Sequence, residues 1–178
     1  LVLTDEAMSE THAPIPMILA VSAVNSHLVR CKLRKKASIL VRTAECLEPH
    51  ALAVLIGAGA TVVNRYVAEA TIEDRWKRGL FEKRGSAASP PPLSLKGGGS
   101  NLALETALGN FRDALSNGLL KIMSKMGISV VSSYRGGLNF EAIGLSRSLA
   151  AEFFPGLPSR ISGIGLSGIE KRVSAQHR

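Results

Sequence analysis

The hydrophobic positions of this chain follow two patterns. Leu104, Leu108, Phe111, Leu115, Leu119, Ile122 and Met126 recur at spacings of 4, 3, 4, 4, 3 and 4, which places them on one face of a long helix. Met17, Val21, Val24, Leu28 and Cys31 repeat the pattern on a shorter scale, and Pro14-Ile-Pro16 suits the entry to that helix. Elsewhere the apolar residues come in short runs. Leu1–Thr4, Ser38–Val41, Thr61–Asn64 and Ile128–Ser132 read as four buried strands. Pro49–Ile56 predicts a helix stopped by Gly57 or Gly59. Tyr66–Arg84 reads as helical at first and then irregular, and Gly127 ends the long helix. Short helices are expected over Asn139–Ile143 and Arg147–Phe154, the second capped by Ser146. Gly109 and Gly118 interrupt the long stripe at a cost of about 1 kcal/mol each relative to Ala. Strand and helix alternating in this order imply an α/β fold with parallel strands and right-handed crossovers.

The pattern also divides the chain. Residues 1–84 form a first βαβαβ half. Residues 85–100 contain Pro90-Pro-Pro92 and Gly97-Gly-Gly99 and read as a flexible loop or linker. Residues 101–157 form a helix–strand–helix second half. Residues 158–178, with Pro158, Gly163, Gly165 and Gly168, read as a loop-like connector toward a following domain.

Composition narrows the picture. A chain of 178 residues can build one domain with a substantial core. Its 46% apolar content excludes wholesale disorder, and only 4% aromatic content leaves the core to Leu, Ile, Val, Ala and Met. The first residue is Leu and the tail is charged, so a segment of a longer protein is expected. The net charge of +8 raises a nucleic-acid-binding module as one reading. Its basic residues gather at Arg30–Lys36, where a helix C-terminus favours cations, and at Arg75–Arg84, mixed with acids. In both places solvated structural charge is the expectation. Two cysteines without short spacing point away from a metal site and toward a reduced compartment. No run reaches the roughly 18 apolar residues of a membrane span.

Few residues suggest chemistry. His27 lies at the edge of the first helical stripe, His50 in a helical first turn, His12 in a loop and His177 in the tail; none has a readable orienting partner. Cys46 precedes a helix N-terminus, which lowers thiol pKa, but no basic neighbour reinforces the effect. Gly57-Ala-Gly-Ala60 follows a helix and precedes a strand, the reverse of a phosphate loop. Lys121 and Lys125 read as a solvated face. The best candidate is the turn Ser133-Tyr134-Arg135-Gly136-Gly137, expected just beyond the C-terminal end of a strand, where α/β sheets place their sites. Arg135 can meet an anion and the glycines admit close backbone approach; a tight turn with a structural Arg135 ion pair explains the same residues. The turn is therefore expected to be a domain contact or an anion contact.

The run Gly118-Leu-Leu-Lys-Ile-Met-Ser-Lys-Met-Gly-Ile-Ser129, with Ser133-Tyr-Arg-Gly136, Phe140-Glu-Ala-Ile-Gly-Leu-Ser146 and Pro158-Ser-Arg160, resembles the large, glutamate-forming subunit of glutamate synthase. Leu3-Thr-Asp5, Ala13-Pro-Ile-Pro16, His27-Leu28, Leu55-Ile-Gly57 and Val63-Asn64 with Tyr66 continue the likeness in order. It covers nearly the whole chain outside about 75–100. The resemblance implies the central domain, between a glutaminase domain and a domain carrying FMN and a 3Fe–4S cluster. It further implies an oxidoreductase making glutamate from glutamine and 2-oxoglutarate, with ammonia passing between sites. Electrons would come from a donor subunit or ferredoxin, in the cytoplasm or a plastid. The segment itself is expected to couple domains, to bind no cofactor, to carry no catalytic residue and to contact neither nucleic acid nor membrane. Its fold is expected to resemble an incomplete TIM-like barrel of about four strands. The turn Arg42–Pro49 agrees, having no glycine and two acids where a flavin phosphate would need neutral or basic groups. The sequence departs from the family at Pro49-His50, Asn64-Arg-Tyr66 and Tyr134-Arg-Gly-Gly137. The competing readings are an independent FMN- or phosphate-binding β/α barrel enzyme and the nucleic-acid module.

Overall fold

The computed structural model describes residues 1–81, 103–137 and 139–177. The proposed linker 85–100 lies outside them, as does the end of the second basic cluster. The chain begins β1 (Val2–Thr4), α1 (Met17–Arg30), a 3-10 turn (Arg34–Lys36), β2 (Leu40–Arg42), α2 (Pro49–Ala58), β3 (Val62–Asn64) and α3 (Tyr66–Lys77). It continues α4 (Leu104–Lys125), α5 (Val131–Tyr134), β4 (Ile143–Leu145), α6 (Arg147–Phe153), β5 (Ile161–Ile164) and α7 (Leu166–His177).

The strands β1, β2 and β3 lie in sequential order and pair in parallel, Val2 on Leu40 on Val62 and Thr4 on Arg42 on Asn64. Strand and helix alternate here with the parallel pairing that the sequence pattern predicts. Leu3, Val41 and Val63 turn to the face on which α1 and α2 lay their apolar stripes, with Met17, Val21, Leu28, Leu52, Leu55 and Ile56 in one core. The alternate residues leave the other face open: Val2 is 66% exposed, Leu40 38% and Val62 52%. Parallel sheets normally bury both faces. The described strands form two small sheets and no closed barrel.

α2 ends where Gly59 takes φ +124, a conformation that strains any residue with a Cβ. α4 packs its stripe on α2, burying Leu115 and Met123. Gly118 sits at the contact, where an added Cβ would stand 2.6 Å from the Pro49 ring. The glycine read as a flaw in the helix is thus the point at which two helices approach closely. Gly109 faces open space. α1 meets α6 through Ser22 and Ser26, whose hydroxyls donate to the Phe153 carbonyl at the end of α6. That contact satisfies a helix-terminal acceptor with no intrahelical partner.

Three expected elements differ. Ile128–Ser132 is not a strand: after Gly127 the chain tucks Ile128 against the core, and Val130 opens the one-turn helix α5. Val130 and Val131 are exposed, with no strand edge beside them, while Tyr134 at the end of that turn is fully buried. Burying the large ring outweighs the β propensity of the valines. Asn139–Ile143 is not a helix, because Ala142 donates to the Pro158 carbonyl and Ile143 begins β4. Within the stretch expected to be loop-like, residues 161–177 carry a strand and a helix: Ile143 pairs with Ile161 and Leu145 with Ile164 across an irregular parallel register, and α7 follows. The first helix also stops earlier than its basic cluster, with Lys32 at φ +58 separating α1 from the 3-10 turn.

Candidate functional site

The two ends of the β1–β3 sheet carry opposite chemistry. At the C-terminal end, the residue after each strand is polar. Asp5, only 6% exposed, accepts from the Thr43 hydroxyl at 2.7 Å, the Ala44 N–H at 2.8 Å and the Tyr66 hydroxyl at 2.9 Å. Thr43 in turn accepts from the Glu45 N–H at 3.1 Å. Glu45 reaches back to the first turn of α1 and accepts from the Met17 N–H at 3.0 Å. Pro16 offers that helix no side-chain cap, so the distant carboxylate satisfies one of its orphan donors. Arg42 grips Glu6 with two nitrogens, at 2.6 and 2.7 Å, and lies over the Tyr66 ring. The Arg42 hydrogen bond holds the Glu6 carboxyl below its ordinary value. Burial and then the bond to Asp5 raise the Tyr66 phenol. An apolar hollow of about 410 Å3 lies beside Asp5, between β1 and the start of α1. The sequence reading missed this cluster; its signal was a polar residue directly after each short apolar run.

The network bears on whether the Arg42–Pro49 turn can hold a flavin phosphate. A phosphate in the Arg42–Pro49 turn would need its backbone N–H groups, but Ala44 gives its N–H to Asp5 and Glu45 gives its own to Thr43. Asp5 and Glu45 would also repel the phosphate. The residues of this turn do not fit FMN. No three His, Cys, Asp or Glu side chains converge among the described residues to hold a metal ion. Cys31 is exposed beside His27, 3.6 Å from its Nε2, and Cys46 is buried in the core. Burial pushes the Cys46 thiol up to about 11, so the helix terminus does not activate it.

At the N-terminal end lies the turn singled out from sequence, reached by a different route than expected. Without a preceding strand, it comes off α5 and is pinned to α2 by the Gly136 N–H, which donates to the Gly57 carbonyl at 2.9 Å. Gly136 takes φ +71, which a side chain would strain. Tyr134 is a core residue, edge-on to Phe140 at 6.0 Å, and burial raises its phenol. Its hydroxyl is buried without a hydrogen-bond partner among the described residues. Phe140 lies against Gly57, where a Cβ would overlap its ring. Ser133 is exposed, and Gly137 closes the turn by donating to the Tyr134 carbonyl at 3.1 Å. Only Arg135 and Gly136 of the five reach a cleft of about 610 Å3, which they share with Arg34, Lys35, Lys36 and Ser132.

The other sequence candidates stay apart. His50 is exposed on α2, His12 bonds its own loop, and His177 donates to the Ser9 carbonyl at 2.6 Å. Lys121 and Lys125 are exposed on α4 as expected. Of the second basic cluster, Lys77 pairs with Glu73 at 2.7 Å and Arg78 with Asp74 at 3.3 Å. No helix among the described residues is long and apolar enough to cross a membrane.

Comparison with known proteins follows the sequence likeness. The family described as glutamate synthase central domain matches residues 1–146. The large chain of NADPH glutamate synthase from Azospirillum brasilense is 54% identical over 176 residues, 99% of this chain and 10% of that protein. The corresponding Bacillus subtilis protein is 38% identical over 178 residues, again 10% of its length. A chloroplastic ferredoxin-dependent glutamate synthase of Oryza sativa is 40% identical over 175 residues, 97% of this chain and 10% of that protein. The chain spans about a tenth of the length of these curated relatives.

Proposed function

We propose, for a chain that belongs to the glutamate synthase central domain family, a structural role inside a larger glutamate-forming oxidoreductase. The match across residues 1–146 and the 54% identity to a large chain carry this reading. The segment couples a glutaminase domain to a synthase domain and helps ammonia pass between them. FMN and a 3Fe–4S cluster belong to another domain of the same chain, in keeping with the donor set here. Relatives named for NADPH and for ferredoxin leave either donor open to this protein. Cytoplasm or plastid is the proposed setting, the second supported by chloroplastic relatives. The catalytic residues lie outside the segment.

The finer fold reading belongs with this proposal. The sequential parallel order of β1, β2 and β3, with α1 and α2 on one face, is the arc of an incomplete TIM-like barrel. The in-register row Val2, Leu40 and Val62 then faces the barrel interior and is covered by the rest of the protein. The division into 1–84, 101–157 and a 158–178 connector toward a following domain rests on the same reading. Nothing favours the nucleic-acid module, and the occupied amides of the Arg42–Pro49 turn disfavour an independent flavin enzyme.

The test is stoichiometric. In the complete enzyme, Val62→Asp places a charge on the row proposed as interior. Glutaminase turnover should persist while glutamate formed per glutamine hydrolysed falls and free ammonia appears. Unchanged stoichiometry, with circular dichroism showing an intact fold, would count against coupling. Flavin copurifying with the isolated segment, or glutamate formation by it, would overturn the structural role.

A further inference from the structure

The cleft at the N-terminal end of the sheet is built and cationic. Ala37 and Ser38, which precede β2, and Thr61, which precedes β3, line it together with Arg34 and Arg135. Arg34 is fixed in place. Its Nε donates to Asn25 Oδ1 at 2.7 Å, Nη1 to the Ala37 carbonyl at 2.7 Å and Nη2 to the Gly59 carbonyl at 2.8 Å. All three acceptors are neutral, so the guanidinium charge is positioned but not compensated. A guanidinium has five N–H bonds, so two remain uncommitted there. Arg135 is half-buried, and its side chain makes no hydrogen bond or ion pair among the described residues. Burial first, and then the nearby Arg135, press the Arg34 pKa below its ordinary value. Lys35 and Lys36 add two exposed ammonium groups, and none of the described residues lining the cleft is acidic.

Two converging guanidiniums without a carboxylate is an arrangement that an incoming anion completes. We propose that this cleft receives an acidic side chain from a part of the complete protein outside these 178 residues, with Arg34 and Arg135 clamping its carboxylate. The inference deepens the domain-coupling role and rests on it. The chain carries an excess of eight positive charges yet forms only about a tenth of the length of its relatives. Arg42, Lys77, Arg78 and Arg112 all have acidic partners within the segment, whereas Arg34 and Arg135 have none among the described residues. The turn that supplies Arg135 is anchored to α2 through Gly136, so docking there would couple directly to the core helix.

Zero-length carbodiimide coupling of the complete protein tests this, because it joins an ammonium only to a carboxylate in contact with it. Peptide mapping should show Lys35 or Lys36 joined to one Asp or Glu position outside the segment. Arg135→Glu should cut that product about tenfold or more, as expected for losing one well-placed charge contact. Arg135→Lys should retain much of it. Thermal unfolding in inorganic phosphate is the second arm, and Lys35→Ala/Lys36→Ala, at exposed sites, checks that the fold survives loss of charge. Absence of the product in the unmodified protein overturns the proposal. So does coupling confined to acids within these 178 residues. A thermal stabilisation by phosphate that Arg135→Glu abolishes, without any cross-link, would assign the cleft to a free anion instead. If the glutamate-to-glutamine stoichiometry responds to Val62→Asp while no cross-link forms, this inference alone falls.

Discussion

Gly109 and Gly118 lie on the same helix and cost the same by intrinsic propensity, yet the structure gives their replacement by alanine opposite signs. At Gly109 an added Cβ meets nothing within 4 Å, so Gly109→Ala should return the helix-propensity gain of about 1 kcal/mol. At Gly118 the same methyl stands 2.6 Å from both Cβ and Cγ of Pro49. Pro49 is a rigid ring in the first turn of α2 and cannot swing aside as the tip of a long side chain would. α4 must back away from α2, loosening the layer that buries Leu115 and Met123. Overpacking of this kind costs about 1–3 kcal/mol, which the propensity gain only partly offsets. The two variants should therefore differ by about 1–3 kcal/mol, Gly109→Ala the more stable. Urea denaturation followed by circular dichroism measures this as a separation of midpoints at constant slope. If Gly118→Ala stabilises as much as Gly109→Ala, α2 and α4 do not pack at this point and the core arrangement is wrong.

Three further outcomes are expected. Asp5→Asn replaces a carboxylate that accepts three hydrogen bonds and should cost about 2–3 kcal/mol; adding Tyr66→Phe should then cost less than it does alone, and additive losses in a double-mutant cycle would refute the network. Tyr134→Phe removes a buried hydroxyl with no partner among the described residues while keeping the ring against Phe140, so urea denaturation should show it neutral or stabilising by about 1 kcal/mol; a loss above about 1.5 kcal/mol would show that the hydroxyl is bonded. Iodoacetamide should label Cys46 about 100-fold more slowly than an ordinary thiol at pH 8; because folding favours its neutral form, Cys46 contributes stability below the ordinary thiol range that is lost as pH rises through about 11, and fast labelling in the folded protein would contradict its burial.

How far the sequence could be read follows from the length over which each signal persists. α1 and α4 each sustain a helical stripe for several turns, and no other period fits those residues. β1, β2 and β3 are only three residues each, yet were found because Pro and Gly bracket the helices between them. β4 and β5 were lost because each carries a glycine and their pairing joins residues 18 or 19 apart, a relation no local pattern records. Ile128–Ser132 was misread because β-branched residues favour a strand only beside a partner edge, and the described residues offer none there. Gly118 could be scored only as a loss until its neighbour, 69 residues away, was known to be Pro49. The turn Ser133–Gly137 was legible as a turn, but its position was inferred from the absent strand.

That last error bears on where function should be sought. The expectation that α/β sheets act at their C-terminal ends directs attention to Asp5, Thr43, Glu45 and Tyr66. Those groups are committed to one another and to the N-terminus of α1, so an incoming ligand would have to break bonds worth about 1.5–3 kcal/mol each where a charge is involved. At the opposite end the Arg34 guanidinium is held by neutral acceptors and the Arg135 guanidinium by none among the described residues. An anion arriving there breaks no internal ion pair and relieves the repulsion between two cations. With Asp5 and Glu45 bonded inward at one end of the sheet, and Arg34 and Arg135 lacking an acidic partner among the described residues at the other, the uncompensated end is where the rest of the protein has most to gain by binding.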